Sequence, residues 1–261
     1  MPPPIPPLPP RAPRPPISPS SAARVNRVDG ILLVDKPTGM TSHDVVARIR
    51  RTFRLDKVGH GGTLDPNASG LLVILLGKGT SLSERIMGGD KRYSGEMLLG
   101  TATDSQDIEG EVLATLPYDL VTDTALRERM AALVGDSYQM PPMVSAIKKD
   151  GVPLYKLARK GQTVAREPRL IHIYSFRLLA FNPPYASFDV ACGKGTYVRT
   201  LCHDIGEALG CGACLHALRR TRSGSLDLAE ALPLEQILAL DLQALAARVI
   251  PVQRYLNQLH A

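Results

Sequence analysis

The stretch Gly59-His60-Gly61-Gly62-Thr63-Leu64-Asp65-Pro66-Asn67-Ala68-Ser69-Gly70 carries the clearest chemical signal in the sequence. Four of its twelve residues are glycine, which lets a backbone approach a ligand closely and adopt positive φ. Pro66 biases Asp65 toward extended conformations and so restricts the direction of its carboxylate. An apolar run, Leu71 to Leu76, follows at once and reads as a buried strand. A carboxylate held at the mouth of a sheet is a poor choice for packing and a good one for chemistry. The same pattern also describes a turn whose Asp caps a backbone N–H, and on pattern alone that reading carries at least equal weight.

The second stretch is Gly193-Lys194-Gly195-Thr196-Tyr197-Val198-Arg199-Thr200. Thr196 reads as the cap of a helix that carries Val198, Leu201, Ile205 and Leu209 inward and is closed by Gly210. Arg199 then falls in the first turn, where the helix dipole disfavours a cation, so a compensating anion is expected. Asp65 or a phosphate would serve, and a bidentate pair would hold the carboxylate ionised and fixed. An exposed arginine with no defined partner is the plainer alternative. Gly77-Lys78-Gly79-Thr80 and Gly193 to Thr196 both echo phosphate loops, but each Lys is followed by Gly, and Leu72 or Phe188 stands where the first glycine belongs. Nucleotide hydrolysis is therefore not expected, while a backbone nest for an RNA phosphate stays open as an alternative. Cys211-Gly-Ala-Cys214, near His203, His216 and Cys202, lacks a second pair at zinc spacing, so the cysteines read as core residues and no metal is expected.

Several elements must position these groups. Ile31 to Val34 is a short strand ending at Lys36-Pro37-Thr38-Gly39. Thr41 and Asp44 have capping-box spacing before a helix with Val45, Val46, Ile49 and Phe53 on one face. Ser81 to Met87 reads as a short helix, Tyr93 to Leu99 as a strand, and Asp104 to Gly110 as a polar turn. Leu126, Met130, Leu133 and Val134 mark a helix that Gly135 would cap. Residues 136 to 168 show little periodicity. Ile171 to Phe181 and Ala186 to Cys192 read as strands paired across Asn182-Pro183-Pro184. Leu215 to Leu228 is strand-rich, and residues 233 to 247 form a last helical region. Strands and helices without a regular βαβ period predict an α+β domain with a mixed or antiparallel central sheet flanked by helices.

With 261 residues, 44% of them hydrophobic, the chain can bury a large core unaided. A net charge of +6 suits a polyanionic partner. Half of the 22 prolines fall in residues 1–23, which predicts a disordered, basic, proline-rich arm before a catalytic domain over 24–261. The proline-rich start does not read as a secretory leader and no apolar run is long enough to cross a bilayer, so a reduced, cytoplasmic protein without membrane contact is expected.

Together these residues resemble the TruB family of tRNA pseudouridine synthases over about residues 28 to 230. Asp35 to Ser42 is similar to the family's first motif, and Gly59 to Gly70 to its catalytic motif. Asp90-Lys91-Arg92-Tyr93 is similar to the motif of the active-site tyrosine. Leu99-Gly100 with Thr103-Asp104, Asp107 and Gly110 matches a further turn. Gln139 to Lys148, with Tyr155, Ala158-Arg159 and Gly161, resembles the RNA-gripping thumb, here about 136–168. Gly195 to Thr200 resembles the arginine motif, and Leu218-Arg219-Arg220 a strand end.

The resemblance implies a pseudouridine synthase fold and isomerisation of the T-loop uridine of tRNA, position 55 in tRNA numbering. Asp65, Tyr93 and Arg199 would be catalytic. His60, Tyr93, Tyr197, Leu218 and Lys36 would serve substrate binding, His60 by filling the space vacated in the T-loop and Lys36 by supporting the catalytic loop or a phosphate, and Lys148, Lys149 and Arg159 would grip RNA. The enzyme would act as a monomer on the T-arm stem-loop with no cofactor. The sequence departs from the pattern at Gly61, where many relatives have Thr, and at Val144, often Tyr. The C-terminal PUA domain that many relatives carry is not expected. Rival readings are a non-catalytic RNA-binding protein, a guide-RNA-dependent synthase of the dyskerin type, and a metal-dependent hydrolase.

Overall fold

The computed structural model describes residues 26–145, 148–149, 151–154, 162 and 164–259. The strands are β1 (Gly30–Lys36), β2 (Val58–His60), β3 (Ala68–Leu76), β4 (Lys91–Leu99), β5 (Thr101–Thr103), β6 (Val112–Thr115) and β7 (Gly135–Gln139). They continue with β8 (Lys148–Lys149), β9 (Val152–Pro153), β10 (Arg169–Asn182), β11 (Tyr185–Cys192), β12 (Ala213–Ser223), β13 (Leu226–Asp227) and β14 (Leu232–Pro233). The helices are α1 (Ser42–Thr52), α2 (Ser83–Gly88), α3 (Asp123–Ala132), α4 (Val198–Leu209), α5 (Leu234–Leu238), α6 (Leu242–Arg248) and α7 (Val252–Gln258).

Among the described residues, ten strands form one sheet in the order β14-β1-β3-β12-β4-β11-β10-β7, with β2 on β3 and β13 on β12. The pairs β1–β14 and β3–β12 are parallel and the others antiparallel, so the sheet is mixed, as expected. β3 is apolar without alternation because both of its faces are covered: Leu71 to Leu76 are fully buried. Leu72, Ile74 and Leu76 meet Val45, Ile49 and Phe53 of the α1 segment. Leu71, Val73 and Leu75 face the opposite way, against Ile86 and Tyr255 of α2 and α7. A second cluster packs α3 and α4 on β4, β10 and β11. Tyr93 and Leu218 touch both this cluster and the α1 cluster, so they mark a seam in the covering layer.

The capping box forms as predicted: Thr41 Oγ1 accepts from the Asp44 amide at 3.1 Å, and the Asp44 carboxylate accepts from the Thr41 amide at 2.9 Å. Four expectations need correction. Thr196 does not cap α4. Its hydroxyl donates back to the Gly193 carbonyl, and Tyr197 takes the cap position. Gly135 does not close α3, whose C-cap is Leu133; Gly135, at φ +108°, opens β7. Residues 136–139, expected to open the thumb, belong instead to β7 in the central sheet. The helical region over 233–247 is two short helices, and Pro251 starts a third beyond it. Lys148–Lys149 form β8, paired with β9, while Arg159 lies outside the described residues.

Candidate active site

Loop 61–67 is fastened to the fold on both sides of Asp65. Ser42, buried in α1, exchanges two hydrogen bonds with the Leu64 backbone, at 2.9 and 3.1 Å. The Pro66 carbonyl accepts from the Gly39 amide at 2.9 Å and from Lys36 Nζ at 3.2 Å. The Gly62 and Thr63 carbonyls accept from Arg220 at 3.1 and 3.3 Å. Gly70, at φ +96°, lets β3 close on β12, because a Cβ there would strike the Arg220 backbone. The Asp65 carbonyl, not its carboxylate, closes the local turn by accepting from the Ala68 amide at 3.0 Å. The carboxylate is thus free of its own turn and stands half exposed on a rigid backbone.

Arg199 answers it from α4. The guanidinium is 5% exposed, and Nη2 lies 3.5 Å from Asp65 Oδ2. The expected bidentate clamp on Asp65 is not what forms. Nη1 binds Asp107 Oδ2 at 3.3 Å, and Nη2 donates to the Val144 carbonyl at 2.6 Å. Asp107 is itself oriented, since its Oδ1 accepts from Ser105 Oγ at 2.7 Å and from the Glu109 amide at 3.2 Å. Two carboxylates and a carbonyl therefore offset a cation in the first turn of a helix. Gln139 fixes the start of that helix, bonding both the amide and the carbonyl of Tyr197. The Arg199 guanidinium lies 5.7 Å from the centre of the Tyr197 ring.

Asp65, Tyr93, Tyr197, Arg199 and Leu218 line one cavity of about 370 Å³ at the seam between the two clusters. Lys91 and Arg220 complete its wall. Burial pushes the Tyr93 phenol above its usual range, with Arg220 pulling the other way. Burial lowers Lys91 to about 8, with Arg220 adding to the effect. Its Nζ donates to the Ile86, Met87 and Gly89 carbonyls at 3.1, 2.7 and 2.5 Å.

Lys36 and His60 stand outside the cavity wall. Lys36 is fully buried, and its ammonium donates to the Pro37, Met40 and Pro66 carbonyls, so it braces the loop and leaves no donor for a phosphate. Burial lowers it to about 8, although the Asp65 charge works in the opposite direction. His60 sits on β2 outside the cavity wall, its ring edge-on to His43 at 5.3 Å. Burial, then His43 and Arg220, lower its pKa and keep the imidazole neutral.

The backbone nest at Gly77 to Thr80 is already filled: the Asp29 carboxylate accepts from the Lys78 amide at 2.7 Å. Cys192, Cys202, Cys211 and Cys214 are buried free thiols, and burial pushes each of them up, away from nucleophilic use. Among the described residues no three His, Cys, Asp or Glu side chains are grouped to hold a metal ion. Nor is any described helix long and apolar enough to cross a membrane.

Sequence reasoning missed Asp107 and Arg220 as parts of the site. Asp107 belongs to the turn that resembles the family's, but its position among Asp104, Glu109 and Glu111 does not mark it as the carboxylate that meets Arg199. Arg220 is an inward charge on a strand whose alternation is broken by irregularities between Leu215 and Ala217 and between Arg220 and Arg222.

Residues 50–198 match the family described as TruB family pseudouridylate synthase (N terminal domain). Residues 199–257 match the tRNA pseudouridylate synthase B C-terminal domain, which carries the similarity past residue 230. A tRNA pseudouridine synthase B of Opitutus terrae is 56% identical over 225 residues, covering 86% of this chain and 93% of that protein. The protein of the same name from Syntrophotalea carbinolica is 55% identical over 80% of this chain and 69% of its own length. Among solved structures, a chain in a Cbf5–Nop10–Gar1 complex superposes with a TM-score of 0.68 at 30% identity. That match covers 86% of this chain, which spans 60% of the solved one.

Proposed function

The chain belongs to the TruB family of pseudouridylate synthases, and on that premise we propose that it converts the T-loop uridine of tRNA, position 55 in tRNA numbering, to pseudouridine. The observation that carries this reading is the half-exposed Asp65 carboxylate, facing Arg199 across a cavity walled by Tyr93, Tyr197 and Leu218. A cavity of about 370 Å³ is near the lower end of small-ligand pockets and suits one flipped nucleoside.

The target base is stacked in the folded T-loop, so it must leave the stack to react. Leu218 and Tyr197 hold the uracil, and Tyr93 lies against it. Asp65 initiates cleavage of the N1–C1′ bond, as nucleophile at C1′ or by promoting a glycal, and the base turns so that C5 joins C1′. The buried phenol of Tyr93 stays protonated at neutral pH, so it can take the proton released from C5 only while passing its own on to water, and N1 gains a proton from water in exchange. Arg199 keeps Asp65 in place and meets the substrate phosphate. His60, neutral and beside the loop, fills the space that the extruded base leaves. Lys148, Lys149 and Arg159 grip the T-arm.

Every step uses a side chain of this protein, and no cofactor or metal enters. We place the enzyme in the cytoplasm, acting as a monomer on tRNA. Identities of 55–56% to proteins named for tRNA, against 30% to the chain from the Cbf5 complex, favour this over a guide-dependent synthase. The test is nucleotide-resolution mapping of pseudouridine in an unmodified tRNA transcript incubated with the purified protein. Conversion confined to the T-loop uridine supports the reading. An unmodified transcript under conditions where it binds would leave an RNA-binding protein instead.

A further inference from the structure

Arg220 is 1% exposed, and no carboxylate among the described residues forms an ion pair with it. Its donors go to backbone carbonyls on both limbs of the loop that bears Asp65. Nε donates to Leu71 at 2.7 Å, after the aspartate, while Nη2 and Nη1 donate to Gly62 and Thr63 at 3.1 and 3.3 Å, before it. The parallel register of Leu218 to Arg220 against Ala68 to Gly70 brings it there. A rigid planar fork can bridge two chain segments in this way, whereas an ammonium is a point charge that cannot match the same fan of acceptors.

We propose that Arg220 is a positioning residue of the reaction: it ties loop residues 62–63 to the start of the buried part of β3 and so holds Asp65 at its station facing the sugar carbon. The proposal rests on Asp65 being the catalytic carboxylate. Displacing a reacting group by about 1 Å costs on the order of 100-fold in rate, so Arg220 acts on turnover rather than on RNA affinity. Its guanidinium also hydrogen-bonds the Tyr93 side chain and stands beside Lys91 and Lys36, adding positive charge to the cavity wall.

The test compares R220K and R220M with the wild type for kcat, KM, tRNA affinity and amide hydrogen exchange over residues 59–72. R220M is expected to lose about 100-fold in kcat, and R220K about tenfold, with KM and tRNA affinity within about threefold of wild type. Exchange should accelerate in the loop while the α4 amides keep their protection. If R220M does not fold, R220K decides by the same readings. Wild-type kcat in R220K with unchanged loop exchange overturns the proposal, as does a raised KM at constant kcat, which would make Arg220 a substrate contact. Failure of the Asp65 assignment is separable, because D65N would then turn over whatever Arg220 does.

Discussion

Replacing Lys36 by Met tests the electrostatics of the loop directly. In the fold the Lys36 ammonium titrates at about 8 instead of the usual 10.5, because burial outweighs the attraction of Asp65. The unfolded chain keeps that proton up to about pH 10.5 and therefore binds more protons than the fold between pH 8 and 10.5. Stability contributed by this residue must then rise as pH climbs through that window. At roughly 1.4 kcal/mol for each tenfold change in proton affinity, the whole window corresponds to about 3 kcal/mol. Lys36→Met also leaves the Pro37, Met40 and Pro66 carbonyls without their donor, which costs ~1–3 kcal/mol each before the relief of desolvation is counted. Lys91 and the four cysteines titrate in both proteins and cancel in the comparison. Urea unfolding of both at pH 7 and pH 10 should show the wild type gaining about 2–3 kcal/mol on the variant between the two pH values. Parallel pH dependences, or a variant that gains on the wild type, would refute the reasoning.

Three further outcomes are expected. Tyr93→Phe keeps the ring in the cavity but removes the phenol, so kcat should fall by about 100-fold or more with tRNA affinity retained; unchanged turnover would end its proton-relay role. Neutralising Lys148, Lys149 and Arg159 together should weaken tRNA binding and reduce the slope of log affinity against log salt by about 2–3, and an unaltered slope would remove the thumb from the interface. Asp107→Asn keeps the shape beside Arg199 but removes a charge from it, so kcat should drop more than tRNA affinity; equal losses in both would mean that the turn serves RNA binding.

The parts of the fold written in local chemistry were legible in the sequence. The Thr41–Asp44 box, the unbroken apolar run of β3 and the turn at Asn182-Pro183-Pro184 each name an element from its own residues. The central carboxylate was not named this way: its glycines and Pro66 suit a capping turn equally well, and only the resemblance singled it out. What could not be read locally depends on tertiary partners. Thr196 looks like a cap until its hydroxyl finds the Gly193 carbonyl and Gln139, far away in sequence, takes over the start of α4. Lys36 could brace the loop or meet a phosphate until three carbonyls take up its ammonium and leave the first role. Arg199 was expected to meet Asp65 or a phosphate, but Asp107 and the Val144 carbonyl, both distant in sequence, share it.

The account stands or falls on the carboxylate at position 65. With tRNA labelled by tritium at uracil C5, the wild-type protein should release label to water at the T-loop uridine. D65N should release none while its affinity for the same tRNA stays within a few-fold. Label released by D65N at a rate near that of the wild type would contradict the account.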